Sequence, residues 1–209
     1  MTKSESLLAL EREIEQDETL PLRESNLVFG EGSPDAAVLF IGEAPGEREN
    51  LLKRPFVGRA GQLLDKLIVG LGWKREDVYI TNIVKRRPPD NRDPLPEEIA
   101  AYLPYLTRQI KILSPKIIAP LGRFAMNYFL PEAKISRDQG KLFKVGTYFV
   151  YPLFHPAAAL RATGTLNELT AAFMKLPAVI AKREEFATIA EETPPACAGG
   201  PKSAQSRLF

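Results

Sequence analysis

The 209-residue chain has one cysteine, Cys197, and one histidine, His155. A lone thiol excludes an internal disulfide framework and any metal site built from several thiolates. One histidine and one cysteine also exclude the zinc centre of the usual deaminases. No apolar run approaches the ~20 residues that span a bilayer. The opening residues, Met1-Thr2-Lys3-Ser4-Glu5-Ser6, lack the basic-then-apolar profile of a secretion signal. The expectation is an intracellular, cytoplasmic protein with no membrane partner. No Gly-x-x-x-x-Gly-Lys-[Ser/Thr] phosphate loop and no Gly-x-Ser-x-Gly nucleophile elbow occur. The 28 basic and 26 acidic side chains nearly cancel. The formal net charge is only +2, so bulk electrostatics does not announce nucleic acid.

What is present is ordinary for a globular chain: 44% hydrophobic and 26% charged residues, enough for one well-buried core. The cations are clustered, at Lys85-Arg86-Arg87, at Arg48/Lys53/Arg54/Arg59 and at Arg137/Lys141/Lys144. The clusters fall beside predicted loops, where a phosphate backbone would be met, although a charge cluster can also be a solvated face.

The stretch Val38 to Glu47 organises the rest. A β-branched, apolar run, Val38-Leu39-Phe40-Ile41, enters the turn Gly42-Glu43-Ala44-Pro45-Gly46. A buried strand ending in such a turn is where an open α/β sheet keeps a ligand. It could equally be a tight strand-to-helix turn carrying solvated glutamates. Before it, residues 4–16 have helical spacing, residues 26–30 read as a short strand or extended piece and residues 30–35 as a turn. After it, residues 47–58 look irregular and 59–71 helical. Residues 78–84 form a second buried strand, followed by a basic, proline-broken loop through Pro94. A long helix over 96–113 carries Pro104, which should bend or interrupt it. Residues 115–122 give a third strand and turn, then a short helix to 130. Residues 141–145 and 148–152 alternate like a hairpin, and one last helix spans about 166–186. This order predicts one α/β domain over 1–190, with a mainly parallel sheet and helices on both faces. Residues 191–209 are small, Pro- and Gly-rich, and read as a flexible tail.

Three predicted strand ends converge at the carboxyl edge and bring together the Gly42–Glu47 loop, Asn82 and His155. The His155 imidazole suits a ligand at a strand end, or is simply structural. The Asn82 amide matches the edge of a pyrimidine, or caps a turn. Phe56 is a stacking platform, or an ordinary ring buried under a loop.

Five blocks occur in order: Gly42-Glu43-Ala44-Pro45-Gly46-Glu47; Arg54-Pro55-Phe56-Val57-Gly58-Arg59-Ala60-Gly61-Gln62-Leu63-Leu64; Tyr79-Ile80-Thr81-Asn82-Ile83-Val84-Lys85; Pro88-Pro89-Asp90-Asn91-Arg92-Asp93-Pro94; and His155-Pro156-Ala157-Ala158-Ala159-Leu160. Together they resemble the family 4 uracil-DNA glycosylases over roughly residues 14 to 185. The resemblance implies a three-layer α/β/α sandwich with a central four-stranded parallel sheet. It implies excision of uracil from DNA to leave an abasic site. On that pattern His155 and Glu43 are catalytic. His155 donates a hydrogen bond to uracil O2, and Glu43 holds the attacking water or stabilises the cationic sugar. Gly42, Ala44, Pro45, Gly46, Glu47, Phe56 and Asn82 bind the base, with Glu47 on the C5 side against thymine's methyl. Arg59, Lys85, Arg86, Arg87, Leu160 and Arg161 meet DNA, the last two in the minor groove. Two alternatives stand beside this reading: an enzyme acting on hypoxanthine or other deaminated bases, and a non-catalytic DNA-binding relative.

The same resemblance implies a four-iron cluster on four cysteines. Here those positions are Asp17, Leu20, Arg86 and Tyr102, and none is a thiolate donor. The expectation is no iron–sulfur cluster and no other cofactor, with Leu20 and Tyr102 filling the space. The terminal Gln205-Ser206-Arg207-Leu208-Phe209 resembles the Gln-x-x-Leu-Phe peptide that docks on the bacterial sliding clamp, through Gln205, Leu208 and Phe209. The partners expected are uracil-containing DNA and that clamp, met by a monomer at the nucleoid.

Overall fold

The computed structural model describes residues 1–192 and 206–207. Helix α1 (Lys3–Gln16) opens on a capping box. The Thr2 hydroxyl accepts the Glu5 N–H, and the Glu5 carboxylate accepts the Thr2 N–H. Its buried face is Leu7, Leu10 and Ile14. Then follow β1 (Glu31–Gly32), β2 (Val38–Gly42), α2 (Glu47–Leu52), α3 (Arg59–Gly70), β3 (Tyr79–Asn82), α4 (Pro96–Leu113) and β4 (Ile117–Pro120). The chain continues through α5 (Gly122–Phe129), α6 (Ile135–Asp138), β5 (Phe143–Val145), β6 (Tyr148–Val150), α7 (Pro156–Ala159), α8 (Thr163–Phe173), α9 (Leu176–Glu192) and β7 (Ser206–Arg207).

The sheet order is β1-β3-β2-β4-β6-β5-β7. Its centre, β3-β2-β4-β6, is parallel throughout, and β1, β5 and β7 add antiparallel edges. The expected parallel four-stranded sheet is therefore present, flanked by antiparallel strands. Period-2 alternation sends the side chains of β2 to two different cores. Leu39 and Ile41 pack with α1, α4 and α5 on one face. Val38 and Phe40 pack with α3 and α8 on the other, where Phe40 stacks on Phe173 with ring centroids 5.3 Å apart. Every residue of β2, β3 and β4 is buried, as a strand covered on both faces requires. Three layers result.

Four local expectations need correction. Residues 47–52 are helical, because Gly46 gives an extended N-cap and two glutamates occupy the favourable first turn. The extended piece at 26–30 is not paired as a strand; the pairing falls on Glu31–Gly32 instead. Pro104 does not interrupt α4, which runs continuously with Tyr102 and Leu106 buried on either side of it. The last helix is two, separated at Met174–Lys175, and Pro177 lies in the first turn of the second, where its missing N–H is harmless. Among the described residues, no helix is long and apolar enough to cross a membrane. Gln205, Leu208 and Phe209 lie outside the described residues.

Candidate active site

The parallel strands end together, and a cavity of about 350 Å³ opens at their carboxyl edge. The loop after β2 supplies Glu43, Ala44, Pro45 and Gly46, and α2 adds Glu49. Phe56 comes from the loop that precedes α3, Ala60 from the first turn of that helix, and Asn82 from the end of β3. The proline loop contributes Pro88, Asn91, Arg92 and Asp93, and the last wall is His155, Ala157 and Arg161.

Asn82 is almost wholly buried, and its side-chain Oδ1 has no hydrogen-bond partner. A buried acceptor without a donor costs roughly 1–3 kcal/mol. That cost points to a ligand N–H. Gly42 makes room for the amide. Residue 42 pairs with residue 82 across the ladder, and a Cβ on Gly42 would come 2.3 Å from the Asn82 Oδ1 and 2.6 Å from the Phe56 ring. The loop continues the ladder past the strands: the Ile83 N–H donates to the Gly42 carbonyl and the Val84 N–H to the Glu43 carbonyl, each at 3.0 Å.

Phe56 is buried and holds a left-handed φ of 51°. Such strain in a bulky residue persists only where the surroundings enforce it. Here two contacts do so. Helix α3 approaches so closely that a Cβ on Gly61 would lie 1.9 Å from the Phe56 carbonyl oxygen. The Glu49 carboxylate accepts the Val57 and Gly58 N–H groups at 2.9 and 2.7 Å, pinning the next two residues. The Phe56 and His155 rings face each other at 5.7 Å, tilted by 34°.

His155 is the N-cap of α7. Its Nδ1 accepts the Ala157 N–H at 3.1 Å. Burial pushes the imidazole pKa down to about 4, against an opposing effect of the Glu49 carboxylate. The ring is therefore neutral at pH 7. With Nδ1 used as an acceptor, the single proton sits on Nε2. Glu43 is shifted the other way. Burial, then the Asp93 carboxylate, raise its pKa to about 7, and Arg123 partly offsets them.

Not every expected residue arrives. Glu43, Ala44, Pro45, Gly46, Phe56, Asn82 and His155 meet around the cavity, with Gly42 as its floor. Glu47 does not. It is exposed at the first position of α2, and two residues of helical rotation turn Glu49 inward instead. Lys85 and Arg86 cannot meet a phosphate from where they sit. Lys85 is fully buried and Arg86 nearly so. The lysine closes a polar network inside the fold. The guanidinium bonds the Glu15 carboxylate and the Ser25 carbonyl, both at 2.5 Å. Arg59, Leu160 and Arg161 are exposed near the mouth. Arg87 is half-buried and donates to the Asn91 Oδ1 at 2.8 Å. Glu49, Asn91 and Asp93 went unassigned in the sequence. The helical phase of residues 47–52 was the signal for Glu49. The Pro88–Pro94 block was the signal for the other two.

The sequence model of the Uracil DNA glycosylase superfamily matches residues 29–176. The chain belongs to the uracil-DNA glycosylase superfamily. A type-4 uracil-DNA glycosylase of Archaeoglobus fulgidus is 41% identical over 169 residues, covering 77% of this chain and 85% of that protein. Type-4 enzymes of Saccharolobus solfataricus and Thermotoga maritima are 50% and 46% identical over 145 residues each. These cover 65% and 68% of this chain, and 67% and 76% of those proteins.

The iron–sulfur cluster that the family resemblance implies does not fit the residues at its positions. Leu20 and Tyr102 are buried in the α1–α4 core, and the Tyr102 hydroxyl donates to the Pro21 carbonyl at 2.8 Å. Asp17 accepts from the Tyr105 hydroxyl at 2.5 Å, and Arg86 is held as described above. A guanidinium, a phenol, an alkyl group and one surface carboxylate cannot ligate iron as four thiolates do. Hydrogen bonds and packing tie the same segments together.

The raised Glu43 pKa carries a stability signature. The native state keeps a proton that the unfolded chain releases above its ordinary pKa of 4.5, so stability falls as pH rises from there to about 7. Glu43→Gln removes that slope. Its melting temperature relative to the parent protein should be higher at pH 8 than at pH 5. An equal difference at both pH values would contradict the environment described for Glu43.

Proposed function

We propose that this protein removes uracil from DNA by hydrolysing the N-glycosidic bond, leaving an abasic site. The observation that carries the reading is the unpartnered Asn82 Oδ1, buried beside Phe56 and His155. The flipped uracil stacks on Phe56, a contact worth ~1–3 kcal/mol. Asn82 Oδ1 accepts the uracil N3–H, and its amide donates to O4. Cytosine presents an acceptor at N3 and a donor at C4, so both contacts fail and buried groups stay unpaired.

As the C1′–N1 bond breaks, its electron pair moves onto the base and positive charge builds on the sugar. Neutral His155 donates from Nε2 to O2 as that charge grows. A neutral donor preserves the hydrogen bond without transferring a proton to a weakly basic oxygen. Water then adds its oxygen to C1′. Glu43, poised near neutrality, orients that water and takes its proton in its ionised form. The proton finally balances the uracil anion. The barrier to thymine's methyl falls to Glu49 rather than to Glu47, since of the two only Glu49 lines the cavity. Arg59, Arg87, Leu160 and Arg161 meet the DNA around the mouth. Hypoxanthine offers Asn82 the same N–H and C=O pair, but it adds a second ring and has no carbonyl at C2 to accept from His155.

Oligonucleotides carrying uracil opposite G or A, uracil in a single strand, or hypoxanthine test the reading directly, by cleavage at the resulting abasic sites. Uracil excision is expected. Removing one such donor should slow it by roughly 10²–10³-fold in His155→Ala, with a comparable loss in Asn82→Ala and both folds intact. Parent-like rates in both variants would refute the site.

The same reading has the protein acting as a monomer at the nucleoid, without an iron–sulfur cluster. Elemental analysis of purified protein should find no stoichiometric iron, and one cluster per chain would overturn this. The terminal Gln-x-x-Leu-Phe peptide then docks on the clamp, its Leu208-Phe209 pair suited to a hydrophobic groove, and Ser206–Arg207 leaves its pairing with β5 to do so. Deleting the last five residues should abolish binding to a bacterial sliding clamp in a pull-down while leaving excision of short oligonucleotides unchanged. Undiminished clamp binding by the truncated chain would remove the idea.

A further inference from the structure

Lys85 is the one lysine of the Lys85-Arg86-Arg87 run, and it is completely buried. Its Nζ donates to three oxygens: the Thr81 hydroxyl at 2.6 Å, the Asn82 main-chain carbonyl at 2.7 Å and the Gln109 side-chain oxygen at 2.6 Å. None of these is a carboxylate. The acceptors are themselves oriented. The Thr81 hydroxyl spends its proton on the Phe29 carbonyl at 2.6 Å, which turns a lone pair toward the lysine. The Gln109 amide nitrogen donates to the same carbonyl at 3.2 Å, which turns its oxygen toward the lysine. The Phe29 ring lies 5.9 Å from Nζ.

This is a costly way to fill space. Burial drives the lysine pKa well below its ordinary value. An alkyl side chain of the same length would occupy the niche without desolvating an amine. The niche sits directly behind Asn82. The strand ends at that residue, and Lys85, three residues on, takes its carbonyl. Through Gln109 the same nitrogen fastens the strand end to α4.

We propose that Lys85 is a positioning residue for base recognition, pinning the main chain of Asn82 to Thr81 and to α4 so that the Asn82 amide is aimed into the cavity. This rests on the reading of the cavity as a uracil site. It makes Lys85 part of specificity without contact with substrate or phosphate. Loss of the pin lets the amide swing, and its hydrogen bonds to the base lose alignment.

The test is a double-mutant cycle between Lys85→Met and Asn82→Ala, read by single-turnover uracil excision and by inhibition with free uracil. In the parent background Lys85→Met should slow excision about tenfold and raise the inhibitory uracil concentration similarly, whereas in the Asn82→Ala background it should change either by less than about twofold. Affinity for uracil-free duplex should stay unchanged, because the residue touches no DNA. Losses that simply multiply, or a parent-like Lys85→Met, overturn the proposal. If Lys85→Met does not fold, Thr81→Val deletes one acceptor of the lysine at nearly constant volume and enters the same cycle. Coupling with Asn82 supports the pin, and multiplying losses overturn it. The outcomes also separate this proposal from the reading it rests on. A parent protein inactive on uracil and indifferent to Asn82→Ala refutes the uracil site, whereas an impaired Asn82→Ala beside an unaffected Lys85→Met refutes only the pin.

Discussion

Residue 42 faces residue 82 across two adjacent parallel strands, and the site depends on that register. Only a residue without a side chain can stand there. A Cβ on Gly42 would occupy the space shared by the Asn82 amide and the Phe56 ring. The register is enforced by burial on both faces. A slip of one residue would exchange Val38 and Phe40 with Leu39 and Ile41 between two cores of different shape. Two further main-chain bonds carry the pairing past the strand ends and fix the Glu43 loop beside Asn82. The rest of the cavity is arranged around that junction: Phe56 held by Gly61 and Glu49, and His155 by its role as a helix cap.

The electrostatics follow from the same burial. His155 is depressed and Glu43 raised, so at neutral pH the imidazole is uncharged and the carboxyl is close to its midpoint. Two titratable groups pushed in opposite directions in one cleft make a site suited to stabilising an anion on one side and handling a water on the other. The positive charge that would meet DNA lies at the rim. The two cations of the most basic run in the sequence, Lys85 and Arg86, work inside the fold.

Arg86 and Tyr102 show how one constraint can be met by different chemistry. The N-terminal segment, the exit from β3 and α4 must be held together, since all three back the Asn82 strand end. Arg86 reaches Glu15 and Ser25, Tyr102 reaches Pro21, and Tyr105 reaches Asp17. These hydrogen bonds join segments 61 to 88 residues apart in sequence.

By itself the sequence determined the layered α/β architecture, the three strand ends and most of the cavity. Apolar runs covered on both faces can only be internal strands, and Asn82, His155 and the Gly42–Gly46 turn each follow one. What it could not show was direction within local structure. Glu47 and Glu49 look alike in the chain, and only the start of α2 at Glu47 sends the second carboxylate inward. Lys85, Arg86 and Arg87 look alike as well. Tertiary packing against α1 and α4 buries the first two and leaves the third beside the proline loop. Composition records charge but not the face that a side chain occupies. That face is decided by which helices cover the sheet, and so by contacts between residues far apart in the chain.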